Sequence, residues 1–498
     1  MKIKIPESSH NWISLIGATI AVVSFFMIIF LFTITTILFQ EATYIGLVIY
    51  ILLPAVMAVG LLLIPIGMFI SRKKKASPNA PWPKIDLNDP KYRNAFMIFT
   101  IGSTIYFFAS ALGSYQAFHY TESVQFCGEI CHKVMKPEYT AYQNSAHARV
   151  ACVECHVGAG ADWYVRSKLS GLYQVYAVMA DVYPRPIPTP VHNLRPARET
   201  CEECHWPEKF YSQKLRMERH YLSDQENTPW DIHLLMKIGS EHPAQGLKEG
   251  IHWHINPDTK IEYIATDERY QDIPWVRYTN LKTGKTVVYQ DEDEPLDENQ
   301  IAKAKIHTMD CMDCHNRPSH SYKPPALFVN EAMTAGIMPS NLPDIKSVSM
   351  DICGEEMTTA DSAKQYIRTT IKEYYADKYS DIIKEKPALI EQAITGLQQV
   401  YMQNIFPEMK VRWDAYPNNI GHLEFNGCFR CHNGLHSSED GSVIQKDCNL
   451  CHTIVAQGNM KNKDVAVISS ELEFKHPVDI DEAWKDMLCT ECHTGLNP

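Results

Sequence analysis

Fourteen of the 15 cysteines fall into seven pairs, and each pair is followed at once by a histidine. Six pairs read C-x-x-C-H: Cys152/Cys155/His156, Cys201/Cys204/His205, Cys311/Cys314/His315, Cys428/Cys431/His432, Cys448/Cys451/His452 and Cys489/Cys492/His493. The first in the chain is stretched by one residue, with Cys127, Cys131 and His132. Two thiols so spaced can add to the two vinyl groups of a haem, and the histidine after them then lies under the iron as an axial ligand. A zinc site pairs two C-x-x-C halves and needs no histidine behind each, and neither does a disulfide framework. The spacing therefore predicts seven covalently bound haem c groups. Cys353 is left over and is expected to be a buried free thiol.

Each iron can take a second ligand. Fourteen of the 21 histidines lie outside the motifs. His147, His192, His233, His254, His320, His422, His436 and His476 are the distal candidates. His320 and His436 follow a motif histidine by five and four residues, an arrangement suited to reaching a neighbouring haem. His252 and His254, in Ile-His-Trp-His, form a pair from which one is expected to bind. At the stretched site Met135 follows His132 by three residues. A methionine ligand there would raise that haem's potential over its neighbours; the alternative is a core methionine.

The elements that position these residues begin in a bilayer. Three apolar stretches, Trp12 to Phe39, Tyr44 to Ile70 and Ala95 to Phe118, contain no Asp, Glu, Lys, Arg or His, and each is long enough to span as a helix. No small-residue cleavage site follows the first, so it is expected to stay as an anchor. Lys2, Lys4 and a basic 71–94 loop with Arg72, Lys73, Lys74, Lys75, Lys84, Lys91 and Arg93 put the N-terminus and that loop in the cytoplasm. Three crossings then place everything after Phe118, and every haem motif, outside.

The exported region is acidic, with 38 Lys and Arg against 54 Asp and Glu after residue 117. Nucleic acid is an unsuitable partner for such a surface, whereas soluble cytochromes with basic patches suit it. The haem motifs fall in groups: sites one to three in 119–210, site four in 311–325, and sites five to seven in 421–498. The short gaps leave little room for separate apolar cores, so haem should form much of the core. Strand-like runs at Lys260–Ala265 and Thr286–Tyr289, with a Lys-Thr-Gly-Lys turn before the second, make 211–310 a small β-rich insert. Ile367, Ile371, Tyr374 and Tyr375 at helical spacing, and Pro387 in a first turn, make 326–420 a helical spacer. The alternating prolines of Tyr183–Pro190 predict an extended connector. The fold expected is mainly α: three N-terminal transmembrane helices, then a haem-packed multihaem cytochrome c region with one β-rich insert.

Residues 95–205 resemble the NapC/NirT family of membrane-anchored quinol-oxidising cytochromes. The resemblance rests on the span directly before the first site, the methionine soon after it, Tyr142-Gln-Asn-Ser-Ala-His147, and Cys-Val-Glu-Cys-His-Val with a lysine beyond. The whole chain is most similar to the larger, seven-haem inner-membrane members, the ImcH type; Cys314-His-Asn-Arg-Pro-Ser-His320 and Asn419-Ile-Gly-His422 fit them. The resemblance implies that His147 ligates a later haem and that Lys168 lies near the quinol. The family often has an acidic residue six positions after that lysine; here it is Gln174. By its position just after the third stretch, His119 is a candidate proton acceptor, with an interfacial anchor or a haem ligand as the preferred alternatives; Glu138 and Asp162 are weaker acceptor candidates, with solvated charges as the default. The implied function is menaquinol oxidation at the outer face of the bacterial inner membrane, feeding periplasmic c-type cytochromes from the menaquinone pool, in contact with lipid and with homo-oligomers allowed. Two alternatives remain: a terminal reductase of a small oxyanion with one open haem, or a non-enzymatic wiring subunit of another dehydrogenase.

Overall fold

The computed structural model describes residues 9–38, 52–73, 86–90, 93–94, 97, 101, 116, 119–157, 161–190, 195–210, 213–239, 250–467 and 470–496. The chain divides into two compact units, Met1–Ser123 with His156–Leu172, and Val124–Cys155 with Tyr173–Pro498. Among the described residues two helices are long and apolar enough to cross a membrane, α1 (Trp12–Leu38) and α2 (Leu53–Lys73). The third expected span, 95–118, lies largely outside the described residues.

α1 and α2 pack through small residues. A Cβ on Gly17 would sit 2.7 Å from the Gly60 carbonyl oxygen, and one on Gly67 would sit 2.5 Å from Ser14 Oγ, so only glycine permits this approach. Ser14 Oγ donates to the Ile64 carbonyl across the pair at 3.0 Å. Phe26, Phe30, Leu62 and Phe69 face outward and are more than half exposed. With apolar groups outside and small polar groups inside, the pair suits lipid.

The second unit carries the haem motifs apart from His156, together with two sheets and a helical lobe. β1 (Gln213–Tyr221) and β2 (Pro229–Lys237) form an antiparallel hairpin, with Gln213 opposite Lys237. β2 also pairs with β8 (His452–Gly458), and β9 (Lys463–Val465) closes this four-stranded sheet. The other sheet has five strands in the order β6-β3-β4-β5-β7: His307–Thr308, Thr259–Ile264, Trp275–Asn280, Thr286–Asp291 and His436–Ser438. Both expected strands form, and Gly284 in the Lys-Thr-Gly-Lys turn has φ of +73°, where glycine is at ease. The insert is not self-contained, however. β7, β8 and β9 all come from the region assigned to sites five to seven, because a few short strands cannot bury a face alone. The 183–190 connector forms neither helix nor strand, as its prolines require.

The helical lobe consists of α7 (Pro325–Thr334), α8 (Ile345–Gly354), α9 (Ala360–Lys378), a short helix Ser380–Glu385 and α10 (Pro387–Asn404). Thr359 caps α9 by accepting from Ser362 N–H, and Pro387 opens α10 where no helical N–H is needed. Ile367, Ile371 and Tyr375, one turn apart on α9, are fully buried against Ile394 and Leu397 of α10. This lobe has an ordinary apolar core of its own. Cys353 is buried in it, and burial pushes its thiol up to about 12.

Lys346 is the exception in that core. It is fully buried, and its Nζ donates to the Ala326 carbonyl and to Asn330 Oδ1, each at 2.8 Å. Its backbone N–H donates to Asn227 Oδ1, which ties the β1–β2 turn to the lobe. Burial pulls its ammonium down to about 7. Unfolding restores the ordinary lysine value, so between about pH 7 and about 10.4 the unfolded chain binds more protons than the native one. Stability of the lobe therefore rises with pH across that window and is reduced by the buried charge below it. Lys346→Met should flatten this dependence, so guanidinium midpoints followed by circular dichroism at pH 6, 7.5 and 9 should lie closer together than in the parent protein.

Candidate haem sites and quinol face

Each C-x-x-C-H motif forms one tight helical turn. The motif histidine N–H donates to the carbonyl of the first cysteine at 2.8 Å for His205, His315 and His493, and at 3.0 Å for His432. This i to i+4 bond sets the first cysteine and the histidine on one face. Asp310 and Asp447 cap two of the turns by accepting from Met312 and Asn449 N–H. The stretched site solves the same problem with two helices, α3 (Val124–Glu129) carrying Cys127 and α4 (His132–Gln143) opening with His132. Cys131 is the N-cap of α4, so the added residue is absorbed in the turn between them. A Cβ on Gly128 would meet the Tyr139 ring at 2.4 Å, so glycine lets α3 and α4 close up.

The motif cysteines do not all lie in a core, as a haem-packed region would suggest. Cys155, Cys204, Cys314 and Cys492, the second cysteines of sites two, three, four and seven, are exposed, and so is Cys448, the first of site six. Cys492 shows the reason. Its N–H donates to the Cys489 carbonyl at 3.2 Å and closes the 3-10 turn Cys489–Glu491. That turn carries Cys489 toward His422 and leaves Cys492 on the outer side.

Five motif histidines each face a second imidazole, counted among the described residues. The ring centroids are 6.1 Å apart for His147 and His205, 6.3 Å for His252 and His315, and 5.8 Å for His254 and His432. They are 6.2 Å apart for His422 and His452, and 6.1 Å for His476 and His493. Two imidazoles bound on opposite sides of one metal at roughly 2 Å per bond stand roughly 6 Å apart between centroids. The Nδ1 atoms of His147, His252, His254, His432 and His476 lie 3.3, 2.7, 2.9, 2.9 and 2.8 Å from the carbonyls of Pro318, Ile238, Ile251, Gln445 and Val478. A carbonyl there requires the proton on Nδ1 and turns the bare Nε2 outward, the form a metal ligand needs. Burial holds His254, His315, His422, His432 and His452 below the usual imidazole range, which favours the same neutral form. The residues present thus fit covalently held haem.

The other distal candidates fare differently. His252 and His254 both meet a motif histidine, although one was expected. They lie two apart on a 3-10 turn, Ile251–Ile255, which points them to different sides. His320 sets Nδ1 3.1 Å from the Glu138 carbonyl and equally far from its carboxylate. Arg317, 3.6 Å from the same carboxylate, lies over the Tyr322 and Tyr416 rings at 5.1 and 4.2 Å. Glu138 is therefore a fixed, half-buried partner rather than a solvated proton acceptor. His436 is not placed to bind iron: it is fully buried, with Nδ1 3.0 Å from Asn433 Oδ1 and Nε2 2.7 Å from the Ile273 carbonyl, so both nitrogens are engaged. His233 sits on β2 with Nε2 3.4 Å from Lys463 Nζ, and no motif histidine ring pairs with it among the described residues. His192 lies outside the described residues, as does the Asp162 side chain.

Successive motifs adjoin. The Cys127 thiol bonds to Cys152 and holds it down to about 7. Cys155 lies within charge range of Cys204 in the next motif. Cys201 is raised by a hydrogen bond with Cys311. Arg430 donates to the Asp313 carbonyl at 2.8 Å, joining sites four and five. His432 of site five meets the Gln445 carbonyl just before site six, and Cys489 Sγ of site seven lies 3.7 Å from His422 Nδ1, the imidazole beside His452. The seven motifs run through space in chain order, which spacing alone did not reveal.

The candidates at the membrane face are less gathered. Lys168 lies on α6 (Ala161–Met179), after the second-motif turn α5 (Cys152–His156), and its Nζ donates to Thr121 Oγ1 at 3.3 Å. Thr121 follows His119 by two residues and the third apolar stretch by three. His119 and Gln174 are exposed, while Lys168 and Met135 are half-buried and Met135 lies one turn into α4.

Comparison with known proteins accords with this arrangement. The model of the NapC/NirT cytochrome c family, N-terminal region, matches residues 90–186. The cytochrome c-type protein ImcH of Geobacter sulfurreducens is 45% identical over 487 residues, covering 97% of this chain and 95% of that protein. The cytochrome c-type protein NrfH of Wolinella succinogenes is 31% identical over 117 residues, 22% of this chain and 66% of the relative. No solved structure matches. Similarity along nearly the whole length, on top of the span, motif and histidine arrangement, shows that the chain belongs to the NapC/NirT family of membrane cytochromes c, on its ImcH-type multihaem branch.

Proposed function

We propose that this chain oxidises menaquinol at the outer face of the inner membrane and passes the electrons to periplasmic cytochromes through seven haem sites in chain order. The observation that carries the reading is the unbroken run of adjoining motifs, five of them with paired imidazoles, starting directly after the membrane region. Bound haem c supplies one-electron transfer at each site. The residues hold and tune it: the fourteen motif cysteines fix it, and the motif histidines with His147, His252, His254, His422 and His476 hold sites three to seven. His320, oriented by Glu138, is proposed as a further distal ligand. Paired imidazoles at five sites leave no open iron there for an oxyanion, which disfavours the reductase alternative.

Lys168, held by Thr121, donates a hydrogen bond to a quinol oxygen, and His119 takes up a released proton. Basic residues before α1 and after α2 keep the N-terminus cytoplasmic, so both protons leave on the periplasmic side. The two described spans carry no Asp, Glu, Lys, Arg or His from Trp12 to Leu38 or from Leu53 to Ile70, so they offer no charged relay for a proton. Intact-mass measurement should show seven haem additions; six would mean that Cys127 and Cys131 are not used. Met135→Leu should change the spectrum of one haem and lower its potential, and an unchanged spectrum would remove methionine ligation. The whole reading is tested by mixing purified protein with a menaquinol analogue: haem reduction without any other dehydrogenase supports it, and none refutes it in favour of a wiring subunit.

A further inference from the structure

α6 is apolar on the outside. Val165, Leu169, Leu172, Tyr176 and Met179 recur at spacings of three and four residues, which sets them on one face. They are 39, 62, 68, 60 and 84% exposed, with Tyr173 and Val175 flanking them at 66 and 52%. The opposite side carries small residues instead: Ser167 and Ser170 are half-buried and Ala177 is buried. Soluble helices bury the large apolar side and expose the polar one. An exposed apolar stripe roughly 20 Å long is a contact surface and not a solvated face.

We propose that this face of α6 lies in the outer leaflet of the bilayer, as a third kind of membrane contact beside the spans. Two observations choose lipid over a protein partner. Lys168 on the same helix is bonded to Thr121, three residues past the third apolar stretch of the sequence, which ties α6 to that end of the stretch. The helix also carries the signature of an interfacial element. Arg166 lies 5.4 Å over the Trp163 ring near its start, and Tyr173 and Tyr176 stand side by side at 6.3 Å on the exposed face. Being apolar on one side only, the helix lies along the surface and does not cross. Its charged partners are phospholipid headgroups, met by Arg166.

The test uses the full haem-loaded chain in nanodiscs of phosphatidylethanolamine and phosphatidylglycerol, with a phospholipid that carries a photoactivatable diazirine near the acyl carbonyl. After illumination and digestion, peptides are mapped by mass spectrometry. Label on Leu169–Met179 should exceed that on the soluble helix α9 by at least about tenfold, and should fall when the diazirine is moved to the acyl end, whereas α1 and α2 label with both probes. Labelled spans with α6 no more labelled than α9 would overturn the proposal and leave a protein partner for this face. The outcome is independent of quinol oxidation, so it stands or falls apart from the functional reading.

Discussion

Replacing His147 by alanine should leave seven haems attached, convert one from six-coordinate low-spin to five-coordinate high-spin, and slow menaquinol-driven reduction of the haems beyond it by roughly ten- to a hundredfold. The expectation follows from geometry. The His147 ring lies 6.1 Å from that of His205, and its Nδ1 is spent on the Pro318 carbonyl, so its Nε2 is the atom free to bind. Attachment depends on Cys201 and Cys204, which the substitution leaves alone, so haem mass should not change. Coordination and potential should change, because the distal imidazole stabilises the ferric state. The damage should spread because site three adjoins site four through Cys201 and Cys311, and the motifs run in single file. Optical spectra of the oxidised protein and stopped-flow reduction check this. An unaltered low-spin spectrum would show that another side chain binds the iron of site three.

The second large effect belongs to the other end of the path. Lys168→Ala should lower kcat/KM for a menaquinol analogue by roughly ten- to a hundredfold, since a hydrogen bond to or from a charged group contributes roughly 1.5–3 kcal/mol. All haem spectra and the haem count should stay as in the parent protein. Lys168→Arg should recover part of the loss. A change of less than about twofold would mean that the ammonium serves lipid headgroups alone, with no part in quinol binding.

How far the sequence carried these results depended on range. The motif cysteines and histidines were legible because haem attachment is a local code: one helical turn brings Cys311 and His315 together whatever surrounds it. Their burial was not legible, since the outward position of Cys492 is set by what packs beside its turn. Strands at Lys260 and Thr286 and the helix at Ile367 were legible from periodicity. Distal ligands were only partly legible, because pairing is set by tertiary approach. His147, His254, His422 and His476 could be nominated, but their partners could not. His436 looked as good as His422 and turned out to be a buried structural histidine, fixed by Asn433 and the Ile273 carbonyl. His252 was undervalued because the 3-10 turn that separates it from His254 has no sequence mark of its own. The β-rich insert was drawn as a closed piece because strands of two or three residues, such as His307–Thr308 and His436–Ser438, are too short to show a period. The ordering of the sites emerged only from thiol and backbone contacts far apart in sequence.

The central claim is that quinol enters at the membrane and electrons travel down this chain unaided. Oriented vesicles holding the purified protein, supplied with a menaquinol analogue and an external pH indicator, test it most directly. The account predicts reduction of every haem without another dehydrogenase, with two protons per quinol released on the haem-bearing side. Haems that stay oxidised until a separate dehydrogenase is added, or protons that appear on the opposite side, would contradict it.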